Sequence, residues 1–107
     1  MALVRFEALS GENNAYAVDL TDSLPTGVTL SASAGVATVY DIFETDVTLS
    51  ILASAAVTQS ASLNTATFTL KTGAKPFGVY RVHLACPQSN SKTLEEDALL
   101  VIREFAV

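Results

Sequence analysis

The sequence predicts an all-β fold, an antiparallel β-sandwich of seven or eight short strands with immunoglobulin-like topology. Segments that alternate apolar and polar side chains with a period of two recur along the whole chain, at a spacing of roughly 10–15 residues. Glycine, proline, asparagine and serine cluster between them, and the three prolines fall outside the alternating segments, where a missing N–H breaks no ladder. One cysteine and no tryptophan remove the disulfide and buried core Trp of antibody-type and receptor-type domains, but the sandwich architecture does not require them. The 107 residues form a single domain, 1–107, long enough to bury roughly two-thirds of the unfolded surface without a metal or a disulfide.

The elements follow in order. Residues 2–9, ALVRFEAL, alternate moderately and make a first strand. In AYAVDL, 15–20, Tyr16, Val18 and Leu20 share one face, opposite Ala15, Ala17 and Asp19. A turn at Pro25–Gly27 leads into GVTLSASAG, 27–35, where Val28, Leu30 and Ala32 oppose Thr29, Ser31 and Ser33. The stretch 15–30 is therefore predicted as two strands joined by a turn, with Tyr16, Val18 and Leu20 buried.

VATVYDIF, 36–43, and DVTLSILA, 46–53, continue the strand pattern. In SLNTATFTLKTG, 62–73, Ala66, Phe68 and Leu70 face the core and the threonines face solvent. GVYRVHLAC, 78–86, is the clearest strand, with Tyr80, Val82, Leu84 and Cys86 inward and Val79, Arg81, His83 and Ala85 outward. TLEEDALLVIREF, 93–105, reads as a final strand whose acidic start could equally open a helix.

Half of the residues are hydrophobic and 16% are charged, a composition that folds despite a formal charge of −5. Six Lys and Arg in a chain of pI about 4.5 supply no clustered cations for a phosphate backbone, so no nucleic-acid partner is expected. No apolar run reaches the ~18 residues of a membrane span. MALVRFEALSGENN lacks the basic start and apolar core of a secretory signal, which predicts action inside a cell or a signal-independent exit. A single Cys86 fits a reducing compartment.

No catalytic constellation emerges. His83 is the one histidine and lies on an outward register, so a metal site or a Ser-His-Asp triad lacks its parts. Cys86 lies inward, without the electropositive surroundings of a nucleophile. Glu95, Glu96 and Asp97, with Asp19, Asp22, Glu44 and Asp46 elsewhere, lack the spacing of a calcium loop and read as a solvated face. The glycine turns SAG and TGAKPFG lack phosphate-loop spacing. The expectation is a protein that is not an enzyme and holds no cofactor or metal.

One run resists burial in a single core. With Ala98, Leu100 and Ile102 inward, Leu99 and Val101 must face out, and outward Val79 on the preceding strand enlarges the patch. Val79, Leu99 and Val101 are the predicted interface, covered either by another subunit or by the N-terminal segment.

The stretch AYAVDLTDSLPTGVTLSASAGVATV resembles small bacteriophage virion structural proteins with an immunoglobulin-like fold, through Tyr16, Asp19, Thr21, Asp22, Leu24, Gly27 and Thr29. The second half is similar through Leu70, Gly73, Gly78, Tyr80, Val82, Thr93, Glu95, Val101 and Ile102, so that the likeness spans about residues 14–104. Where that family carries Trp, this chain has Leu20, Leu24 and Val39 or Tyr40. The resemblance implies a virion structural protein made in the host cytoplasm, foremost a capsid decoration or head-associated protein. It would bind the major capsid protein or another virion protein, and itself as a homo-oligomer, with no membrane partner. The alternatives are a neck or tail-associated role, or a carbohydrate- or cell-surface-binding module. The last is poorly served by three Tyr, five Phe and no Trp, most of them in core registers.

Overall fold

The computed structural model describes residues 4–103. Among them run seven strands: β1 (Val4–Leu9), β2 (Ala15–Asp19), β3 (Gly35–Tyr40), β4 (Ala56–Ser60), β5 (Thr65–Thr69), β6 (Gly78–Pro87) and β7 (Thr93–Arg103). A single helical turn, α1 (Thr48–Ile51), lies between β3 and β4. The strand order is β1-β7-β6-β3-β4-β5-β2. β4 joins two layers: Ala56 and Val57 pair with Val36 and Gly35 of β3, and Thr58 to Ser60 pair with β5. The result is an immunoglobulin-like β-sandwich, with β1, β7, β6 and β3 in one layer and β4, β5 and β2 in the other.

The alternating pattern sets the core. Tyr80, Val82, Leu84 and Cys86 of β6 and Ala98, Leu100 and Ile102 of β7 are buried, against Ala66, Phe68 and Leu70 from the other layer. Val18 and Leu20 are buried as expected. Tyr16 is half-buried, its ring 5.1 Å from that of Phe6 and 5.9 Å from that of Phe68. Tyr80 donates its hydroxyl to the Pro76 carbonyl at 2.9 Å, so its polar tip is satisfied at the core's edge. The first predicted strand begins two residues, and the last ends two residues, outside the described part of the chain.

Four expectations are corrected. The sandwich is not wholly antiparallel: β1 runs parallel to β7, from Val4 opposite Ala98 to Leu9 opposite Arg103. Parallel neighbours need a long crossover, and here nearly the whole chain lies between the two strands. Residues 27–34 are not a strand, and Gly35 belongs to β3. Leu30 alone bridges, to Gln88, and its N–H is taken by the Asn64 side chain at 3.1 Å. Leu30 is buried, but Ala32 is exposed, and the small side chains around it bury too little area to hold a ladder.

Residues 46–53 turn into α1 instead of continuing as a strand. The Asp46 carboxylate accepts the Thr48 hydroxyl at 2.6 Å and the Thr48 N–H at 3.0 Å, a local closure that competes with strand pairing. Adjacent Ile51 and Leu52 are then both buried, which a strand does not allow. Thr48 also accepts the Val39 N–H at 2.9 Å, and Val47 donates to the Val39 carbonyl at 2.8 Å, so this segment caps the free edge of β3. Finally, β4 is a strand where none was expected, and Pro87, expected outside a strand, ends β6.

Gly35 explains how closely β3, β4 and β6 approach. An ideal Cβ there would lie 2.6 Å from Gln59 Oε1 and 2.9 Å from the Ala85 carbonyl oxygen. Gln59 fills that space and donates its amide to the Ser31 and Pro87 carbonyls at 2.9 and 3.1 Å.

Candidate functional site

The outer face of the β1-β7-β6-β3 layer carries the predicted interface residues. Val79 lies directly opposite Val101, and Leu99 opposite Arg81. Val79 is exposed, whereas Leu99 and Val101 are half-buried. The register therefore brings all three into one patch. β1 borders it, with Arg5 opposite Leu99 and Glu7 opposite Val101, but lies beside the patch as an edge strand.

Beyond Val79 the patch runs off the sheet into two loops. Ile42, Phe43 and Phe77 are 73%, 81% and 57% exposed. With Asp41, Gly78, Val79 and Tyr80 they line an open groove of about 420 Å³. Local chemistry holds these loops. Asp41 accepts the N–H groups of Phe43 and Thr45 at 2.9 and 3.0 Å, which folds the chain back after β3. On the other wall, the Tyr80–Pro76 hydrogen bond fixes the approach to Phe77. Sequence reading missed Ile42 and Phe43 because they were assigned to the strand 36–43; the signal was Asp41, a turn-forming side chain directly after Tyr40.

Charged groups flank the apolar patch in fixed pairs. Arg81 reaches Glu44 at 2.9 Å and Asp97 at 3.5 Å, and its guanidinium lies 4.4 Å from the centre of the Tyr40 ring. The hydrogen bond that Arg81 donates to Glu44 is the main reason its pKa is raised. His83 places Nδ1 at 2.7 Å from Asp97 and Nε2 at 3.1 Å from Glu95. Asp97 foremost raises the His83 pKa; burial opposes it, and Glu95 adds to the rise. With a carboxylate at each nitrogen, the ring serves best as an imidazolium donating at both ends. Arg5 and Arg103 share Glu7 on the far side of the patch.

The candidates for chemistry are placed elsewhere or already engaged. Both ring nitrogens of His83 face carboxylates, which leaves no lone pair aimed at a substrate. Cys86 is buried, and burial pushes its thiol up to about 11, away from the reactive thiolate. Among the described residues no group of three or more His, Cys, Asp or Glu side chains is arranged to hold a metal ion. Glu95 and Asp97 sit together with His83, while Asp19 and Asp46 are tied locally to Thr21 and Thr48.

Neither a protein-family model nor a curated protein sequence matches the chain. Among solved structures, CopC from Methylosinus trichosporium OB3b is similar, with a TM-score of 0.59 and 10% identity, over 97% of this chain and 88% of that one. At that identity the likeness is one of fold. It also corrects the functional expectation, because a solved protein similar to this sandwich over nearly the whole chain is CopC and not a virion component. The capsid decoration, neck and tail roles, and the surface-binding alternative kept beside them, are withdrawn.

Proposed function

We propose that this chain is a non-enzymatic binding domain, which presents the outer face of its β1-β7-β6-β3 layer to another protein surface. The observation that carries the reading is the concentration of exposed apolar side chains at one place. Ile42, Phe43, Phe77 and Val79 line one groove, and half-buried Leu99 and Val101 continue it along the sheet. Scattered exposed apolar residues need no explanation, but a contiguous patch rimmed by charges is the usual form of a protein contact. Aromatic side chains such as Phe43 and Phe77 are enriched in protein contacts relative to the rest of the surface. The engagement of His83 and the burial of Cys86 further favour binding over catalysis.

Site-specific photocrosslinking tests this reading. A benzophenone side chain at position 43 or 77, in protein made in its native cell, should form a discrete crosslinked protein band, whether to a second copy or to another protein. The same group at position 63, where Leu63 is exposed on the far β4–β5 turn, should not. Equal labelling from all three positions, or none from 43 and 77, would refute the assignment.

A further inference from the structure

The binding reading leaves the partner open, and the charges of the same face select one. The chain has three arginines, Arg5, Arg81 and Arg103, and the strand registers and ion pairs bring all of them to this face. Glu7, Glu44, Glu95 and Asp97 pair with them and with His83. Three arginines and His83 thus stand against these four acids and Asp41, which lines the groove. The face carries both signs and at most two of the chain's five net negative charges. Two copies approaching through the rest of the acidic surface would repel one another more than through this face. Its ion pairs are also closed within the chain, so no charge has to find a partner across the contact before apolar surface is buried.

We infer that the occupant of this face is a second copy of the chain, packed about a two-fold axis with Val79, Leu99 and Val101 at its centre and the Phe43–Phe77 groove at its end; the inference rests on the binding-domain reading. A two-fold contact needs only one self-complementary patch, which an apolar centre with both signs of charge around it supplies. Four strands about 4.8 Å apart, two of them about 30 Å long and two about 20 Å, offer roughly 500 Å² per copy. Two copies would bury about 1,000 Å², the lower bound for a specific interface, before the loop aromatics add theirs. The covered edge of β3, with Val39 capped by Val47 and Thr48, leaves face-to-face packing as the natural mode on that side, rather than extension of the sheet.

Sedimentation velocity of the purified chain over a range of concentrations tests this. The wild type should reach twice the 11.2 kDa monomer mass at high-micromolar concentration and keep that association from low to high salt, because the burial is apolar. Val79→Asp, at a 45% exposed position, should weaken self-association by about tenfold or more with the thermal melt unchanged. Phe43→Ser, in a loop outside the strands, provides a second disruption that does not touch the sheet. Leu63→Asp, equally apolar and exposed but on the β4–β5 turn of the other layer, should leave it within about twofold. A wild type that stays monomeric overturns the inference, as does an association that survives both Val79→Asp and Phe43→Ser. If the chain is monomeric while positions 43 and 77 crosslink to a different protein, self-association fails and the binding-domain reading stands. If it is monomeric and neither position crosslinks, both fail.

Discussion

Gly35→Ala is the change whose cost the structure defines best. The added methyl would lie 2.6 Å from Gln59 Oε1 and 2.9 Å from the Ala85 carbonyl oxygen, both inside van der Waals contact. The carbonyl belongs to β6 and cannot retreat, so Gln59 must move and give up its amide bonds to Ser31 and Pro87. Overpacking of this kind costs about 1–3 kcal/mol, and two displaced neutral hydrogen bonds add about 1 kcal/mol each. Ala in place of Gly returns roughly 0.5–1 kcal/mol through the unfolded chain. The net is a loss of about 2–4 kcal/mol, which for a domain of this size lowers the melting temperature by roughly 10–25 °C. Thermal melts followed by circular dichroism, in a double-mutant cycle with Gln59→Ala, read it directly. Gly35→Ala should cost about 2 kcal/mol less when Gln59 is already Ala, because the amide bonds are gone and only the clash with the Ala85 carbonyl remains. A variant as stable as the wild type, or an identical cost in both backgrounds, would show that the space at Gly35 is not set by Gln59.

Three further outcomes are expected. Tyr80→Ala should lose about 3–5 kcal/mol in urea unfolding, because it empties a buried aromatic site and orphans the Pro76 contact; a loss under about 1 kcal/mol would contradict its role as a core anchor. Gly27→Val should cost about 1 kcal/mol or more in thermal melts through backbone strain alone, since Gly27 has φ +80° and nothing lies within 4 Å of a Cβ there. The pH dependence of the urea midpoint should carry the signature of His83. Its folded pKa is raised above the unfolded value near 6.5, so the protonated ring with Asp97 and Glu95 adds stability that is complete below about pH 6. That contribution is lost as the pH rises through the raised folded value. His83→Gln should flatten this part of the profile, and a wild type that gains stability across that window would refute the pairing.

Much of the fold was legible because β5, β6 and β7 bury one face against a single core, and a strand with one buried face must alternate. The pattern failed where other chemistry supplied the backbone's hydrogen bonds. In 46–53 the Asp46–Thr48 closure starts a helical turn from a sequence with a strand-like hydropathy. In 27–35, Asn64 and Ser89 side chains, distant in sequence, satisfy backbone N–H groups that a ladder would otherwise claim. Lys75 is a third case. Lysines are almost never fully buried, yet this one is 2% exposed, with Nζ donating to the carbonyls of Glu12, Lys71 and Gly73. Its turn, TGAKPFG, reads as an ordinary loop because the three acceptors are main-chain groups that carry no residue signature.

The site divides along the same line. Alternation alone forces Val79, Leu99 and Val101 outward, whereas the charge network depends on register, which alternation does not supply. A hairpin supplies it. Gln88 donates to the Lys92 carbonyl and Pro87 pairs with Thr93, and from that closure His83 must meet Asp97, Arg81 must meet Leu99 and Val79 must meet Val101. Because one short turn sets all of these pairs, the apolar centre and its ion-paired rim are parts of one rigid ladder, and a partner would meet them in a single relation. Phe43 and Phe77 reach the same patch from loops, held by Asp41 and by the Tyr80–Pro76 bond and not by the ladder. Their positions follow from local turn chemistry at two places about 34 residues apart in sequence, and only the folded sandwich brings the two walls of the groove together.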